Sequence, residues 1–273
     1  MSKNDSLNLK KTLFVDIGNS SIKVAYIEDG SWEKVNDSFK SVTYFISWLN
    51  KHYSEIQELV IASVRKDHLK ILEESIKNIS YRVITTDDID PKKLDYKTTK
   101  TLGIDRYLVC LGAISQTSEK SSTEEQLEAR EKVVGIGGKR IIAVDAGSAC
   151  TIDCMQGNGI FMGGMILPGI SAFIKSLNKV APELPETELK FATNWIGKST
   201  KESLMLGRLD FFALGIAGIF ERLRTHFPGA EVFITGGDSE IFSKCFGFVE
   251  RGYSAPLIDE YLIFKGMKAF IDG

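Results

Sequence analysis

The sequence predicts an α/β fold built from two duplicated halves. Two observations lead to this prediction: strands rich in β-branched residues alternate with amphipathic helical stretches, and one order of strands and turns occurs twice. The repeated order is a strand, an Asp-x-Gly turn, a second strand, a glycine turn and a third strand. A chain of 273 residues is long enough for two domains of ordinary size.

The first half opens with a predicted β-hairpin. Residues 12–18 form an apolar run that stops at a glycine, and an extended pattern then resumes as far as the turn at Glu28-Asp29-Gly30. Helices and strands alternate after this hairpin, as expected of an α/β domain. The predicted helices are residues 44–52 and 67–77, and the predicted strands are residues 59–64 and 82–85.

The second half repeats the hairpin pattern over residues 140–164. Residues 202–227 carry apolar side chains at helical spacing, so they predict a long helix. A strand is predicted over residues 231–235, where it ends at Gly236-Gly237. An amphipathic helix over residues 258–270 is expected to close this half.

These elements predict two domains and a segment between them. The N-terminal domain is placed at residues 1–115 and the C-terminal domain at residues 140–273. Residues 116–139 are polar and then glycine-rich, a composition typical of an exposed insertion or linker.

The charge balance argues against partners that are attracted by a strong overall field. The chain has 34 basic and 36 acidic residues, a formal net charge of −2. We therefore expect neither nucleic acid nor a membrane among its partners. The first eleven residues are polar, and no uninterrupted apolar run is long enough to cross a bilayer, so a cytoplasmic location is expected.

The cysteines are predicted to be buried free thiols. Four in a chain of this length are too few and too scattered for a disulfide framework. Cys150 and Cys154 are close in sequence, but on one strand they would lie about 13 Å apart, too far for a disulfide or a shared zinc ion. The other two cysteines are Cys110 and Cys245.

Two turns between strands carry the main candidate chemistry. Asp16 and Asp145 each follow an apolar strand directly, and Gly18 and Gly147 lie two residues further on. A carboxylate there can hold hydrated Mg²⁺ or a monovalent cation, and the glycine lets a phosphate approach the backbone. Either aspartate alone could equally form only an Asx turn, but two copies half a chain apart favour a site. Further hydrogen-bonding side chains are Asn19, Ser20, Ser148 and Thr151.

Three other features have a functional and a plainer interpretation. Lys23, on the second strand, could reach back toward a phosphate or could be a solvated strand lysine. Gly236-Gly237 could border a nucleotide or could form an ordinary tight turn. Asp105 could act chemically or could merely cap a helix, and Arg106 beside it could form only a surface ion pair.

Six motifs in order give the chain a family resemblance. DIGNSSIK, YKTTKTLGIDRY, DAGSACTID, GGMILPGI, GKSTKES and ITGG resemble the successive motifs of type III pantothenate kinases. That family belongs to the superfamily of sugar kinases, heat-shock chaperones and actin. The resemblance therefore implies two duplicated actin-like (ribonuclease H-like) domains, with mixed sheets flanked by helices and an ATP cleft between the domains. It also implies ATP-dependent phosphorylation of pantothenate to 4′-phosphopantothenate, the first step of coenzyme A synthesis.

The resemblance also assigns roles to individual residues. Asp105 would be the general base that accepts the proton of the substrate hydroxyl, as an alcohol nucleophile requires. Asp145 would hold a monovalent cation, K⁺ or NH₄⁺, and Asp16 would approach Mg²⁺ through water. The ATP contacts would be Asp16, Gly18, Asn19, Ser20, Lys23, Ser148, Gly236 and Gly237. The pantothenate contacts would be Tyr96, Gly103, Ile104, Asp105, Arg106 and Thr200.

The resemblance further implies a homodimer, and two other functions compete with pantothenate kinase. One is a kinase or phosphatase of the same superfamily that acts on another small alcohol or a polyphosphate. The other is a non-catalytic transcriptional accessory protein of the same fold. The near-neutral charge, the lack of a basic helix and the presence of Asp105 disfavour the latter.

Overall fold

The computed structural model describes residues 11–35, 39–119, 138–187, 195–249 and 251–273. The chain divides into two compact units. The first contains Met1–Ser115 and Tyr261–Gly273, and the second contains Gln116–Glu260.

The first unit holds a five-stranded mixed sheet in the order β3-β2-β1-β4-β5. β1 pairs with β2 in antiparallel fashion and with β4 in parallel fashion. Its strands are β1 Lys11–Ile17, β2 Ile22–Glu28, β3 Ser31–Lys34, β4 Ile56–Ser63 and β5 Ser80–Ile84. The helices that begin in this unit are α1 Val42–His52, α2 Lys66–Ser75 and α3 Ile104–Glu119. Single 3₁₀ turns lie at Tyr53–Glu55, Thr86–Asp88, Pro91–Lys93 and Thr99–Thr101.

The second unit holds another five-stranded mixed sheet, in the order β10-β9-β6-β7-β8. β6 pairs with β7 in antiparallel fashion and with β9 in parallel fashion. Its strands are β6 Ile141–Ala146, β7 Ala149–Met155, β8 Phe161–Pro168, β9 Glu231–Thr235 and β10 Leu257–Ile258. Its helices are α4 Ile170–Val180, α5 Thr200–His226 and α6 Ser239–Phe246.

The two sheets have one topology. In each, three strands in succession form antiparallel pairs, and two later strands add in parallel on the other side of the first strand. The predicted α/β fold with duplicated mixed sheets is therefore confirmed. Parallel strands require a crossover connection, and α1, α2, α5 and α6 lie in those connections.

Each sheet is covered by apolar side chains on its central strands. Residues 13–17 of β1 are all buried, as are residues 141–144 of β6, which explains why both runs are apolar apart from Asp16. In the first unit Phe45 and Leu49 of α1 pack into this core. In the second, Phe220 of α5 does the same. Full burial of such a side chain contributes roughly 1.5–3 kcal/mol.

The last helix differs from the expectation. We predicted a helix at residues 258–270 within the C-terminal domain, but the helix α7, Leu262–Asp272, belongs to the first unit. The reason is a close crossing with α3. A Cβ at Gly112 would overlap the carbonyl oxygen of Leu262, and a Cβ at Gly266 would overlap that of Leu108. Two glycines thus let the helix backbones touch, and no apolar pattern reports such a contact.

Helix α5 is the longest in the described residues, and its surface is apolar on several sides. Leu204, Phe212 and Phe220 are buried, whereas Phe211 and Leu214 are 69% and 66% exposed. By length and composition alone this helix could cross a membrane, and 39% of the tested stretch is buried within the protein. Core helices commonly pass the same test.

Most of the expected insertion cannot be compared with the structure. Of the expected insertion at 116–139, residues 120–137 lie outside the described residues, and 116–119 continue α3.

All four cysteines are free and buried, as predicted. Burial raises the pKa of Cys150 and Cys154 to about 12 and that of Cys245 to about 11, so these thiols stay protonated at neutral pH.

Candidate active site

The first Asp-x-Gly turn joins β1 to β2. Asp16 is buried at the end of β1, and its cross-strand partner is Lys23 of β2, which places both side chains on one face of the sheet. The Gly18 amide donates to the carbonyl of Ser21 at 3.1 Å, which closes the turn. Asn19 is exposed at its tip. The acidic side chain of Asp16 and the basic side chain of Lys23 therefore lie together at this turn, beside exposed backbone.

The end of β4 lies next to this turn. The Val64 amide donates to the carbonyl of Ile17 at 3.2 Å, so the chain leaving β4 runs beside the chain leaving β1. Val64 also faces Gly103, where an added Cβ would lie 3.7 Å from its Cγ1. That Cβ would overlap Oδ1 of Asp105. The carboxylate of Asp105 thus folds back against Gly103, a position that only glycine leaves open.

Asp105 and Arg106 occupy the first turn of α3. Oδ1 of Asp105 accepts a hydrogen bond from the Arg106 amide at 2.9 Å, and the same amide lies 3.2 Å from the Gly103 carbonyl. Arg106 is buried, and its guanidinium donates to the hydroxyl of Tyr96 at 3.4 Å while lying 5.8 Å from the ring centroid. The structure therefore brings Tyr96, Gly103, Asp105 and Arg106 together, with Ile104 buried beneath them.

The second Asp-x-Gly turn joins β6 to β7 and has a different lining. Asp145 pairs with Thr151 of β7 on one side and with Thr235 of β9 on the other. Thr235 is buried, as is Oδ1 of Asp145. A carboxylate flanked by two hydroxyl-bearing residues offers oxygen atoms to a hard cation.

Glycines pack tightly around this second turn. Gly236 has φ +94°, and a Cβ there would overlap the carbonyl of Ala146 and lie 2.6 Å from Oδ1 of Asp145. Gly169 donates its amide to the carbonyl of Ser148 at 3.1 Å, and a Cβ at Gly169 would overlap the carbonyl of Gly147. Ser148 itself is exposed. The backbone around Asp145 is therefore fixed from two sides.

Two further expected ligand contacts, Gly237 and Thr200, belong to the second unit. A Cβ at Gly237 would meet nothing within 4 Å, so its backbone is open to a ligand. Thr200 is the first residue of α5 and is exposed. The helix start is capped by Ser199, whose hydroxyl accepts from the Glu202 amide at 3.2 Å, which holds Thr200 at a defined position.

The residues present suit cations bound through oxygen rather than through nitrogen or sulfur. Among the described residues no group of three or more His, Cys, Asp and Glu could hold a metal ion by itself. Asp16 and Asp145 each supply one carboxylate, the number that Mg²⁺ commonly takes when substrate phosphates and water complete its shell. The donor set fits ions that are bound jointly with a nucleotide.

Sequence reasoning gave no role to the side chains of two charged residues at these turns. Arg65 follows β4, and its Nη1 lies 3.5 Å from the carbonyl oxygen of Asn19. Asp238 follows β9, and its amide donates to the carbonyl of Ala146 at 2.9 Å. Burial raises the pKa of Asp238 above its usual range. The only sequence signal for either is its position just past an apolar strand of the sheet.

A cavity of about 230 Å³ lies elsewhere in the first unit. Its lining includes Lys11 at the start of β1, at the opposite end of that strand from Asp16. Lys11 is paired with Glu28 at 2.6 Å, and Trp48 stacks on His52 at 4.4 Å. Neither Asp16 nor Asp105 lines this cavity.

Comparison with known proteins points to one family. The family model for type III pantothenate kinase matches residues 12–123 and 125–222. A type III pantothenate kinase of Flavobacterium johnsoniae is 28% identical over 238 residues, which cover 85% of this chain and 88% of that protein. One from Chlorobaculum tepidum is 29% identical over 271 residues, which cover 93% and 91%.

Solved structures resemble the whole chain at lower identity. A Baf family protein from Campylobacter jejuni aligns with a TM-score of 0.54 and 23% identity over 95% of this chain and 97% of its own. The archaeal actin homolog Ta0583 aligns with a TM-score of 0.50 and 13% identity over 96% and 99%. At such identities the likeness shows the fold alone, and that fold is actin-like.

Proposed function

Because the chain belongs to the type III pantothenate kinase family, and so to a family of kinases, we propose that it transfers the γ-phosphoryl group of ATP to the 4′-hydroxyl of pantothenate. The observation that supports this proposal is a continuous series of contacts in the first unit, from the Asp16 turn to Asp105. The Asp16 turn borders Val64, Val64 borders Gly103, and Gly103 borders the carboxylate of Asp105. A phosphate at the turn and an alcohol at Asp105 would therefore be close together.

The transfer needs a base for one proton and a fixed position for the acceptor. The hydroxyl oxygen forms the new bond to γ-phosphorus while the bond from that phosphorus to the bridging oxygen of ADP breaks. The hydroxyl proton passes to the carboxylate of Asp105. The Arg106 amide, bonded to Oδ1, holds that carboxylate in orientation, and the buried Arg106 with Tyr96 supplies a cation and a hydroxyl for pantothenate.

Cations would assist at both turns. Asp16 would contact hydrated Mg²⁺, and Asp145 with Thr151 and Thr235 would hold a monovalent cation, K⁺ or NH₄⁺. A cation at either turn would offset the negative charge of a phosphate bound there. Lys23, opposite Asp16, would add a protein cation on the same face, and Asn19, Ser20 and Ser148 would donate hydrogen bonds.

We further propose a homodimer formed through α5. Phe211 and Leu214 leave large apolar areas on its surface, and a Cβ added at Gly207, Gly215 or Gly218 would meet nothing within 4 Å. Small residues beside exposed apolar ones let a second helix approach closely. Phe211→Asp would then yield a monomer by light scattering, while an unchanged mass would contradict the proposal.

The first experiment measures ADP release with ATP, Mg²⁺, K⁺ and pantothenate. Turnover is expected to require pantothenate and to fall on the order of 10²- to 10⁴-fold in Asp105→Asn, since the variant cannot take the proton. A matched control is Asp90→Asn, because Asp90 is an exposed acid in the same unit.

Two results would contradict the assignment. A folded wild type that turns over another small alcohol but not pantothenate would replace the substrate. A folded wild type that neither binds nor hydrolyses ATP would favour a non-catalytic role for this fold.

A further inference from the structure

Arg65 lies beside the first Asp-x-Gly turn without belonging to it. It follows β4 and precedes α2, and its guanidinium reaches the carbonyl of Asn19 from outside the hairpin. Its neighbour Val64 lies between Ile17 and Gly103, so Arg65 extends from the chain segment that links the turn to Asp105. The side chain is 33% exposed, which leaves it accessible to a ligand.

Capping does not explain an arginine at this position. Arg65 is the N-cap of α2, a place favoured by Ser, Thr, Asp and Asn, and its side chain makes no capping hydrogen bond. A cation there also faces the positive end of the helix dipole, which is unfavourable. The residue therefore costs the helix some stability.

Asp67 fixes the guanidinium in place. Arg65 donates from Nε to Oδ1 of Asp67 at 2.9 Å and from Nη2 to Oδ2 at 2.6 Å, a bidentate pair. The hydrogen bond from Arg65 holds the pKa of Asp67 well below its usual range. Nη2 also lies 3.1 Å from Nε2 of His68. The remaining group, Nη1, points to the turn.

We propose that Arg65 binds the terminal phosphate of a nucleoside triphosphate held at the first turn. This inference rests on the proposed kinase function and adds a residue that the family motifs did not indicate. Nη1 carries two N–H groups, so it can donate to a phosphate oxygen while its other hydrogen points to Asn19. Asp67 orients the arginine in advance, so that binding a phosphate needs no reorganisation.

The alternative is that Arg65 only braces the turn. A brace would affect all nucleotides equally because they share the turn, whereas a contact to the γ-phosphate would affect only triphosphates. Arg65 could instead meet the carboxylate of the acceptor, in which case nucleotide binding would not change. Comparing ligands of different phosphate number separates the three.

The test measures binding by calorimetry, with Mg²⁺ and without pantothenate, for a non-hydrolysable ATP analogue, ADP and AMP. Arg65→Ala is expected to weaken the triphosphate on the order of 10-fold or more, as loss of a charged hydrogen bond does, and ADP by less than about 3-fold. Arg65→Lys should recover part of the loss. Arg82→Ala, which removes an exposed arginine of β5, should change nothing.

Three other outcomes would overturn the proposal, and each is recognisable. Equal weakening of all three nucleotides would make Arg65 a brace, and unchanged binding would remove it from the phosphate site. A wild type that binds no nucleotide would sink the proposed function as well. A wild type that binds ATP but phosphorylates another alcohol would leave this inference standing, since no acceptor is present in the assay.

Discussion

The two Asp-x-Gly turns share a backbone and differ in charge. Asp16 lies opposite Lys23 and beside Ala62, whereas Asp145 lies opposite Thr151 and beside Thr235. Three residues past Ala62 and past Thr235 come the N-caps of the next helices, Arg65 and Asp238. A cation in one copy thus corresponds to an acid in the other.

The difference indicates a division of tasks between the copies. Lys23 lies opposite Asp16, and Arg65 reaches the Asn19 carbonyl of the same turn, which suits an anionic phosphate. Hydroxyls and Asp238 accompany Asp145, which suits a cation. Duplication supplied one framework, and substitutions at equivalent positions gave its two ends opposite electrostatic preferences.

The largest effect is expected from replacing the glycine in the turn after β9, Gly236. Gly236→Ala would put a Cβ at φ +94° against the carbonyl of Ala146, whereas the equivalent residue in the first copy is Ser63. We expect a loss of about 2–4 kcal/mol in the free energy of unfolding, measured by calorimetry. Gly237→Ala is the control, with a change under about 0.5 kcal/mol. Equal, small effects would mean that both copies tolerate a side chain there.

Smaller effects are expected from replacing the two turn aspartates, and they distinguish the Mg²⁺ requirement from the K⁺ requirement. Asp16→Asn should raise the Mg²⁺ concentration for half-maximal activity roughly 10- to 100-fold and leave the K⁺ requirement unchanged. Asp145→Asn should raise the K⁺ concentration for half-maximal activity and leave the Mg²⁺ requirement unchanged. The strand neighbours of Asp145 carry hydroxyl groups rather than the lysine found opposite Asp16. Each variant serves as the control of the other in steady-state assays. Identical changes in both requirements would remove the proposed division of tasks.

The smallest effect concerns pH. Burial raises the pKa of Asp238, so this group stabilises the folded state below its unfolded pKa near 3.8, and the contribution is lost as pH rises through the folded value. Asp238→Asn removes that loss. Its melting temperature relative to wild type should therefore increase from pH 4 to pH 7, and added K⁺ should reduce the increase. A difference independent of pH would contradict this.

Helices and strands with strong apolar periodicity were predicted well from the sequence. The strand predicted at residues 231–235 is β9, and the long helix predicted at 202–227 is observed at Thr200–His226. These elements have strong apolar periodicity, which is a local property. The duplicated turns were found for the same reason, since each acid follows an apolar strand directly.

Features that depend on contacts between distant residues were out of reach. The membership of α7 in the first unit depends on Gly112 and Gly266 meeting across 154 residues of chain, and the pattern of neither helix reports it. Arg65 became visible as a site residue only through its contact with Asn19. The family resemblance assigned Tyr96 and Arg106 to one substrate site, but neither it nor their spacing predicted the direct contact between them.

The placement of α7 bears on the order in which the chain acquires its structure during synthesis. The first unit begins at the N-terminus, yet Leu262, Phe264 and Met267, all buried in it, leave the ribosome after the whole of the second unit. Domains usually fold in the order in which they are made. Here the surface of the first unit that receives α7 stays uncovered until the residues that follow the second unit have been made.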